Sequence, residues 1–202
     1  MILDFKETYI LEDDFVLLRP LAEADFEHLL YYAVHESDIW QYNTGAPNSA
    51  ENLKKYIENA IANRSLKKEY AFVVFDKRAN KYIGSTRFYD VFLEAKCLEI
   101  GYTWYGKSFQ GTGINKNCKY LLLSFAFEQL GMERVGFRAN NKNTRSKNAM
   151  KSIGCVEEGV LRSFNTDPQG GRLDAVVLSI LKNEWAESVK ENLKAKTLQL
   201  IG

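Results

Sequence analysis

Midway along the chain, three strand-like runs are followed by a glycine-rich turn, a long apolar-periodic helix and a further strand. That succession restricts the fold more than any other feature. The runs are "YAFVVFD" (Tyr70 to Asp76), "KYIGSTRFYDVF" (Lys81 to Phe92) and "CLEIGYTWY" (Cys97 to Tyr105). The links between them have hairpin lengths, so the block predicts an antiparallel meander. In "SFQGTGINKNCKYLLLSFAFEQLG" (Ser108 to Gly131), Ile114, Cys118, Leu121, Leu122 and Phe125 recur at helical spacing, and Gly131 is placed to stop the helix. "ERVGFRAN" then alternates Val135, Phe137 and Ala139, as a strand does. A strand, a crossover helix and a second strand lie parallel.

The flanks complete a mixed α/β (α+β) layer architecture, ordered β-α-α-β-β-β-α-β-α-β-β-α. "FVLLRP" (Phe15 to Pro20) reads as a strand. Phe26, Leu29, Leu30 and Ala33 mark a first helix, and Leu53, Tyr56, Ile57, Ala60 and Ile61 a second. The second helix is expected to open on an Asn48–Glu51 capping pair. Between the helices, "SDIWQYNTGAP" reads as a loop from its Asn-Thr-Gly and Pro signals. "NTRSKNAMKSIG" is a short helix capped by Asn143 or Thr144 and ended by Gly154. "CVEEGVLRSF" and "RLDAVVLSIL" are strands, and Trp185, Val189 and Leu193 mark a last amphipathic helix. No repeat or linker divides the 202 residues, which predicts one domain over 1–202.

Composition excludes several classes of partner. Lys plus Arg number 27 against 26 Asp plus Glu, so no net positive charge argues for nucleic acid. The acidic start "MILDFKETYILEDDF" lacks the flank of a signal peptide, and no run approaches the roughly 20 apolar residues of a membrane span. Cys97, Cys118 and Cys155 are widely spaced and odd in number, which fits a reducing cytoplasm and buried packing. His28 and His35 are the only histidines and read as structural. No Cys or His pair has metal spacing, and no metal is expected.

The glycine turn is where chemistry is expected. Gly111 and Gly113 let the backbone approach a ligand, and the first N–H groups of the following helix lack intrahelical partners. Together with the helix dipole these groups suit phosphate, so "QGTGIN" is placed to hold a pyrophosphate. A plain helix start is the competing reading. Two familiar phosphate sites are disfavoured. A triphosphate-binding loop would need Gly-Lys-Ser/Thr where Ile114 and Asn115 stand. A dinucleotide fold would place the turn in its first strand–helix unit.

Gln110, Gly111, Thr112, Gly113, Ile114 and Asn115 resemble the pyrophosphate loop Q/R-x-x-G-x-G/A of the GNAT superfamily of N-acetyltransferases, with Asn115 replacing a small last residue. Asn143, Ser146, Lys151 and Gly154 resemble a second motif, N-x-x-S followed by Lys and Gly, of its RimJ/RimL branch. "LLRPL", "LEIGYTW" and "GGRLDAVVLSIL" extend the resemblance over roughly Phe15 to Trp185. It implies a central, mostly antiparallel sheet with one splayed parallel pair, flanked by helices. It also implies acetyl transfer from acetyl-CoA to a primary amine, either a protein N-terminus or a small molecule, by direct attack in a ternary complex. A non-catalytic acyl-CoA-binding module of the same fold is the alternative. A phosphotransferase lacks its lysine and magnesium carboxylates. The superfamily's dimers imply a homodimer.

Roles follow from the resemblance, residue by residue. Backbone N–H groups around Tyr102, Thr103 and Trp104, on a bulged strand, would polarise the acetyl carbonyl. Gln110 to Asn115 would hold the pyrophosphate, and Asn143 the pantetheine. Ser146 would hydrogen-bond the leaving sulfur. Glu99 is the candidate base, its proton affinity raised by apolar neighbours; otherwise it is an exposed strand residue or a partner of Arg87. Asn165 stands where RimL-like enzymes carry a Glu, which leaves a water chain to a remote carboxylate or to Asp38 as the fallback. Asp38, Trp40, Tyr42, Phe164 and Arg172 would build the acceptor pocket.

Overall fold

The computed structural model of the protein describes residues 2–42, 46–167 and 170–198. The strands are β1 (Leu11–Glu12), β2 (Val16–Pro20), β3 (Tyr70–Asp76), β4 (Lys81–Phe92), β5 (Cys97–Tyr105), β6 (Arg134–Asn140), β7 (Val156–Thr166) and β8 (Arg172–Leu181). Among the described residues they form one sheet in the order β1-β2-β3-β4-β5-β6-β8-β7. Every neighbouring pair is antiparallel except β5 and β6. The helices are α1 (Asp25–His35), α2 (Ala50–Ser65), α3 (Ile114–Ser124), α4 (Thr144–Ser152), α5 (Lys182–Glu184) and α6 (Lys190–Leu198).

The helices divide between the two faces of the sheet. β3 reads as an unbroken apolar run because it is buried on both faces. Tyr70, Phe72 and Val74 face one core with α3 and α6, whereas Ala71 and Val73 face another with α1 and α2. Phe88 of β4 is fully buried on the α3 face, 5.5 Å from Phe72 and 6.2 Å from Phe125, ring centre to ring centre. Phe88→Ala should therefore cost about 3–5 kcal/mol in denaturant unfolding, the range for emptying an aromatic core site. A loss below about 1 kcal/mol would mean that the sheet does not rely on this contact.

The turns of the chain agree with the sequence in most places. β3, β4 and β5 span the three runs expected. Gly131 takes a left-handed φ of 67° at the end of α3, after a π-helical turn over Phe125–Gln129. Asn143 caps α4 by accepting the Ser146 N–H at 3.0 Å. The capping expectation for α2 is corrected by one residue. Ser49 is the cap and accepts the Asn52 N–H at 3.1 Å, while Asn48 Oδ1 accepts from the Asn52 side chain. The Asn43-Thr44-Gly45 loop signal lies outside the described residues.

Candidate active site

β5 and β6 pair only over Cys97–Glu99 with Arg134–Gly136. Beyond Glu99, β5 stays with β4, and beyond Gly136, β6 stays with β8. The two strands separate like an opening wedge, and a cleft of about 1420 Å³ fills the gap. The wedge is sharpened by a bulge. Ser85 pairs with Trp104 and Arg87 with Gly101, so Thr86 alone opposes Tyr102 and Thr103. Tyr102 reaches φ +50°, a left-handed value that a large side chain seldom adopts. A bulge leaves one residue of the ladder unpaired and re-aims its side chains. Ile100 accordingly packs in the α3 core and Trp104 in the α1–α2 core. Tyr102, Thr103 and Trp104 line the cleft between them.

At one end of the cleft lies the glycine turn. Gly111 and Gly113 take φ values of +76° and +92°, and Gly113 is the residue from which α3 starts. Among the described residues, the N–H groups of Gly111 to Asn115 donate to no other backbone group outside regular helix bonding. Gln110 turns away from the turn and ties it to β5, its Nε2 donating to the Tyr105 carbonyl at 2.8 Å. Asn115 accepts from the Tyr105 hydroxyl at 3.3 Å. Gln110, Gly111, Thr112, Gly113 and Asn115 line the cleft, with Lys116 and Arg145 beside them. The Ile114 side chain points into the core instead, leaving only its backbone to serve the turn. Asn143 and Ser146 of α4 stand on the wall opposite β5. Among the described residues, the Ser146 hydroxyl makes no hydrogen bond.

At the other end lies a network of charge. Glu99 Oε2 accepts from the Tyr89 hydroxyl at 2.5 Å and from Arg138 Nε at 2.7 Å, and Arg138 also pairs with Asp90. Two expectations for Glu99 are thereby corrected. Its neighbours are polar rather than apolar, and Arg87 pairs instead with Glu69 at 2.6 Å. Burial, followed by the Glu99 charge, pushes the Tyr89 phenol upward. Tyr89 and Arg138 line the cleft, and Glu99 stands behind them.

The acceptor-pocket residues divide. Asp38, Tyr42 and Phe164 line the cleft. Asp38 pairs with Lys107 at 3.2 Å, and Phe164 lies against the Arg138 guanidinium, 5.1 Å from ring centre to Cζ. Trp40 is corrected: it is buried, ring to ring with Trp104 at 4.7 Å, and supports the wall from behind. Arg172 is corrected too. In β7, Arg162, Ser163 and Phe164 oppose Asp174 alone, a bulge of three residues against one. Arg172 turns back onto that bulge through the Ser163 hydroxyl and carbonyl, so it steadies Phe164 rather than facing the cleft.

The acetyltransferase (GNAT) domain family matches residues 16–156, more than two thirds of the chain. The chain belongs to that family, the N-acetyltransferases of the GNAT superfamily. A structure from T. thermophilus, described as a "putative acetyltransferase", is 33% identical, with a TM-score of 0.81 over 93% of this chain and 96% of that one. In Bacillus subtilis, the "Putative ribosomal N-acetyltransferase YdaF" is 39% identical over 87 residues, which is 43% of this chain and only 46% of YdaF. The fold also matches a ribosomal-protein-S5-alanine acetyltransferase from Vibrio fischeri, at 18% identity and a TM-score of 0.70 over 88% of this chain and 98% of that one. The YdaF match agrees with the RimJ/RimL resemblance, and the Vibrio fischeri likeness shows the fold.

In this GNAT sheet the two well-buried cysteines are packing residues. Burial pushes the Cys118 thiol up to about 12 and the Cys155 thiol higher still, and a thiol held protonated is a poor nucleophile. His28 stacks on Tyr82 at 4.3 Å, and His35 lies against Tyr31 at 5.1 Å; neither lines the cleft. Among the described residues, no group of His, Cys, Asp and Glu is arranged to hold a metal ion, and no helix is long and apolar enough to cross a membrane. Sequence reasoning missed Tyr89, Arg138 and Lys119. Tyr89 meets Glu99 directly across the β4–β5 hairpin, whereas Arg138 reaches it from β6, 39 residues away. Lys119 occupies an inward position of α3, and a lysine at such a position is the signal that was available.

Proposed function

We propose that this GNAT enzyme transfers the acetyl group of acetyl-CoA to a primary amine by direct attack in a ternary complex. The observation that carries the reading is one continuous cleft. It runs from the Gly111–Asn115 turn, past the β5 bulge, to the Tyr89–Glu99–Arg138 network. Its volume of about 1420 Å³ leaves room for a donor thioester and an acceptor together. The backbone N–H groups of Gly111 to Asn115 would hold the pyrophosphate, with Gln110 bracing the turn against β5, and Asn143 would hold the pantetheine arm. The name of YdaF favours a protein N-terminus over a small amine as acceptor.

Three acts follow from the geometry. Backbone N–H groups at Tyr102 to Trp104 would polarise the thioester carbonyl as it gains negative charge. The acceptor ammonium, drawn in past Asp38 and held between Tyr42 and Phe164, would give one proton to Glu99 through the Tyr89 hydroxyl. The free amine then attacks the carbonyl carbon. The C–S bond breaks as the tetrahedral intermediate collapses, and the second amine proton reaches the departing sulfur through the Ser146 hydroxyl. The products are the acetamide and CoA thiol, and one proton is released to solvent from Glu99.

Ser146→Ala tests the last step. Turnover, followed as free thiol released with an amine present, should fall roughly 10- to 100-fold, the lower part of the range for a proton donor. Acetyl-CoA affinity should stay within about twofold, because the Ser146 side chain makes one contact among many. Wild-type turnover would remove Ser146 from the mechanism.

A further inference from the structure

Lys119 is 5% exposed on the inner face of α3, yet among the described residues it has no carboxylate partner. Its ammonium donates to Thr103 Oγ1 at 2.8 Å and, more weakly, to Thr86 Oγ1 at 3.4 Å; the two hydroxyls lie 2.8 Å apart. Thr103 is one of the two bulged residues of β5, and Thr86 is the single residue opposing them. The lysine therefore clasps the bulge to its partner strand from the helix that begins at the phosphate turn. An ammonium has three N–H donors, and these contacts use two. Lys119 and Thr103 both line the cleft, beside the path from the turn to the wedge.

The rest of its surroundings cannot neutralise it. The titratable groups felt at Lys119 are the thiols of Cys118, on its own helix, and Cys155, after α4. Both are held protonated by burial. Burial accordingly pushes the Lys119 ammonium down to about 8. A cation in this setting costs stability, and an apolar side chain would fill the space more favourably. Such a cost is tolerated where a ligand completes the hydrogen bonding.

We propose that Lys119 is a positioning residue for the donor: it fixes the β5 bulge through Thr103 and Thr86, and gives its remaining N–H to a carbonyl oxygen of the pantetheine arm. The inference rests on acetyl-CoA being the donor. The test compares acetyl-CoA with 3′-phospho-ADP, which carries the pyrophosphate but no pantetheine. Both are titrated calorimetrically into wild-type, Lys119→Met, Thr103→Val and Thr103→Ser proteins.

Lys119→Met should weaken acetyl-CoA by about 10-fold or more, as expected for losing a charged hydrogen bond. The same variant should hold 3′-phospho-ADP within about twofold of wild type, since the phosphate turn is untouched. Thr103→Val should fall in between for acetyl-CoA, and Thr103→Ser, which keeps the hydroxyl, should restore wild-type binding. Equal losses for both ligands would overturn the proposal, because Lys119 would then support only the fold. Unchanged acetyl-CoA affinity would overturn it as well. Failure of the wild-type protein to bind acetyl-CoA would remove the donor reading itself, and this inference with it.

Discussion

Gly113→Val is expected to weaken acetyl-CoA binding by at least about 100-fold, close to 3 kcal/mol, while leaving a folded protein. Gly113 sits at φ +92° as the residue from which α3 starts. A β-branched residue in left-handed conformation is strained by about 1–3 kcal/mol, so the turn would move to relieve it. The N–H groups of Gly111 to Asn115 would lose their common aim, and a branched side chain would stand where a phosphate needs close backbone approach. Gly111→Ala is the gentler companion. At φ +76° it is strained, but an added Cβ meets nothing within 4 Å, so the loss should be smaller. Calorimetry with acetyl-CoA, CoA and ATP, with a thermal melt of each variant, decides the matter. Unchanged acetyl-CoA affinity in a folded Gly113→Val protein would end the assignment of the turn to phosphate.

Glu99→Gln should lower turnover by roughly 100-fold or more, within the range for removing a general base, with acetyl-CoA affinity retained. The amide oxygen can still accept from Tyr89 and Arg138, so the network keeps its shape and loses only its place for a proton. Thiol release at saturating donor and acceptor is the readout. Turnover within about threefold of wild type would mean that Glu99 serves to hold Arg138 over Phe164, and that the ammonium loses its proton elsewhere.

The order of elements was readable because each announces itself locally. Alternation marks β6, the 3.6-residue stripe marks α3, and hairpin-length links mark the meander. The turn was legible for a similar reason, since glycines that must take positive φ stand out in a sequence. The β5 bulge was expected only through family resemblance. Its strained residue is Tyr102, whose identity gives no hint of a left-handed backbone, and a bulge is defined by which residues pair. Partnerships across the sheet were hidden in the same way. Arg87 finds Glu69 and Glu99 finds Arg138, 39 residues away. Trp40 and Arg172 carry the chemistry of binding residues but apply it to the wall and to the β7 bulge, a choice set by side-chain direction.

The wedge between β5 and β6 has a mechanical meaning. Only three residue pairs stitch the five-strand block β1–β5 to the three-strand block β6–β8. Past that stitch each block carries a free sheet edge inside the molecule, so the sheet has a built-in tear. A ligand that lodges there and hydrogen-bonds to both edges acts as the missing seam. By mass action it lends the native state about 2.7 kcal/mol when present at 100 times its Kd. Occupancy of the wedge and stability of the fold would then rise together, so a ligand seated there should raise the melting temperature in proportion to its own affinity.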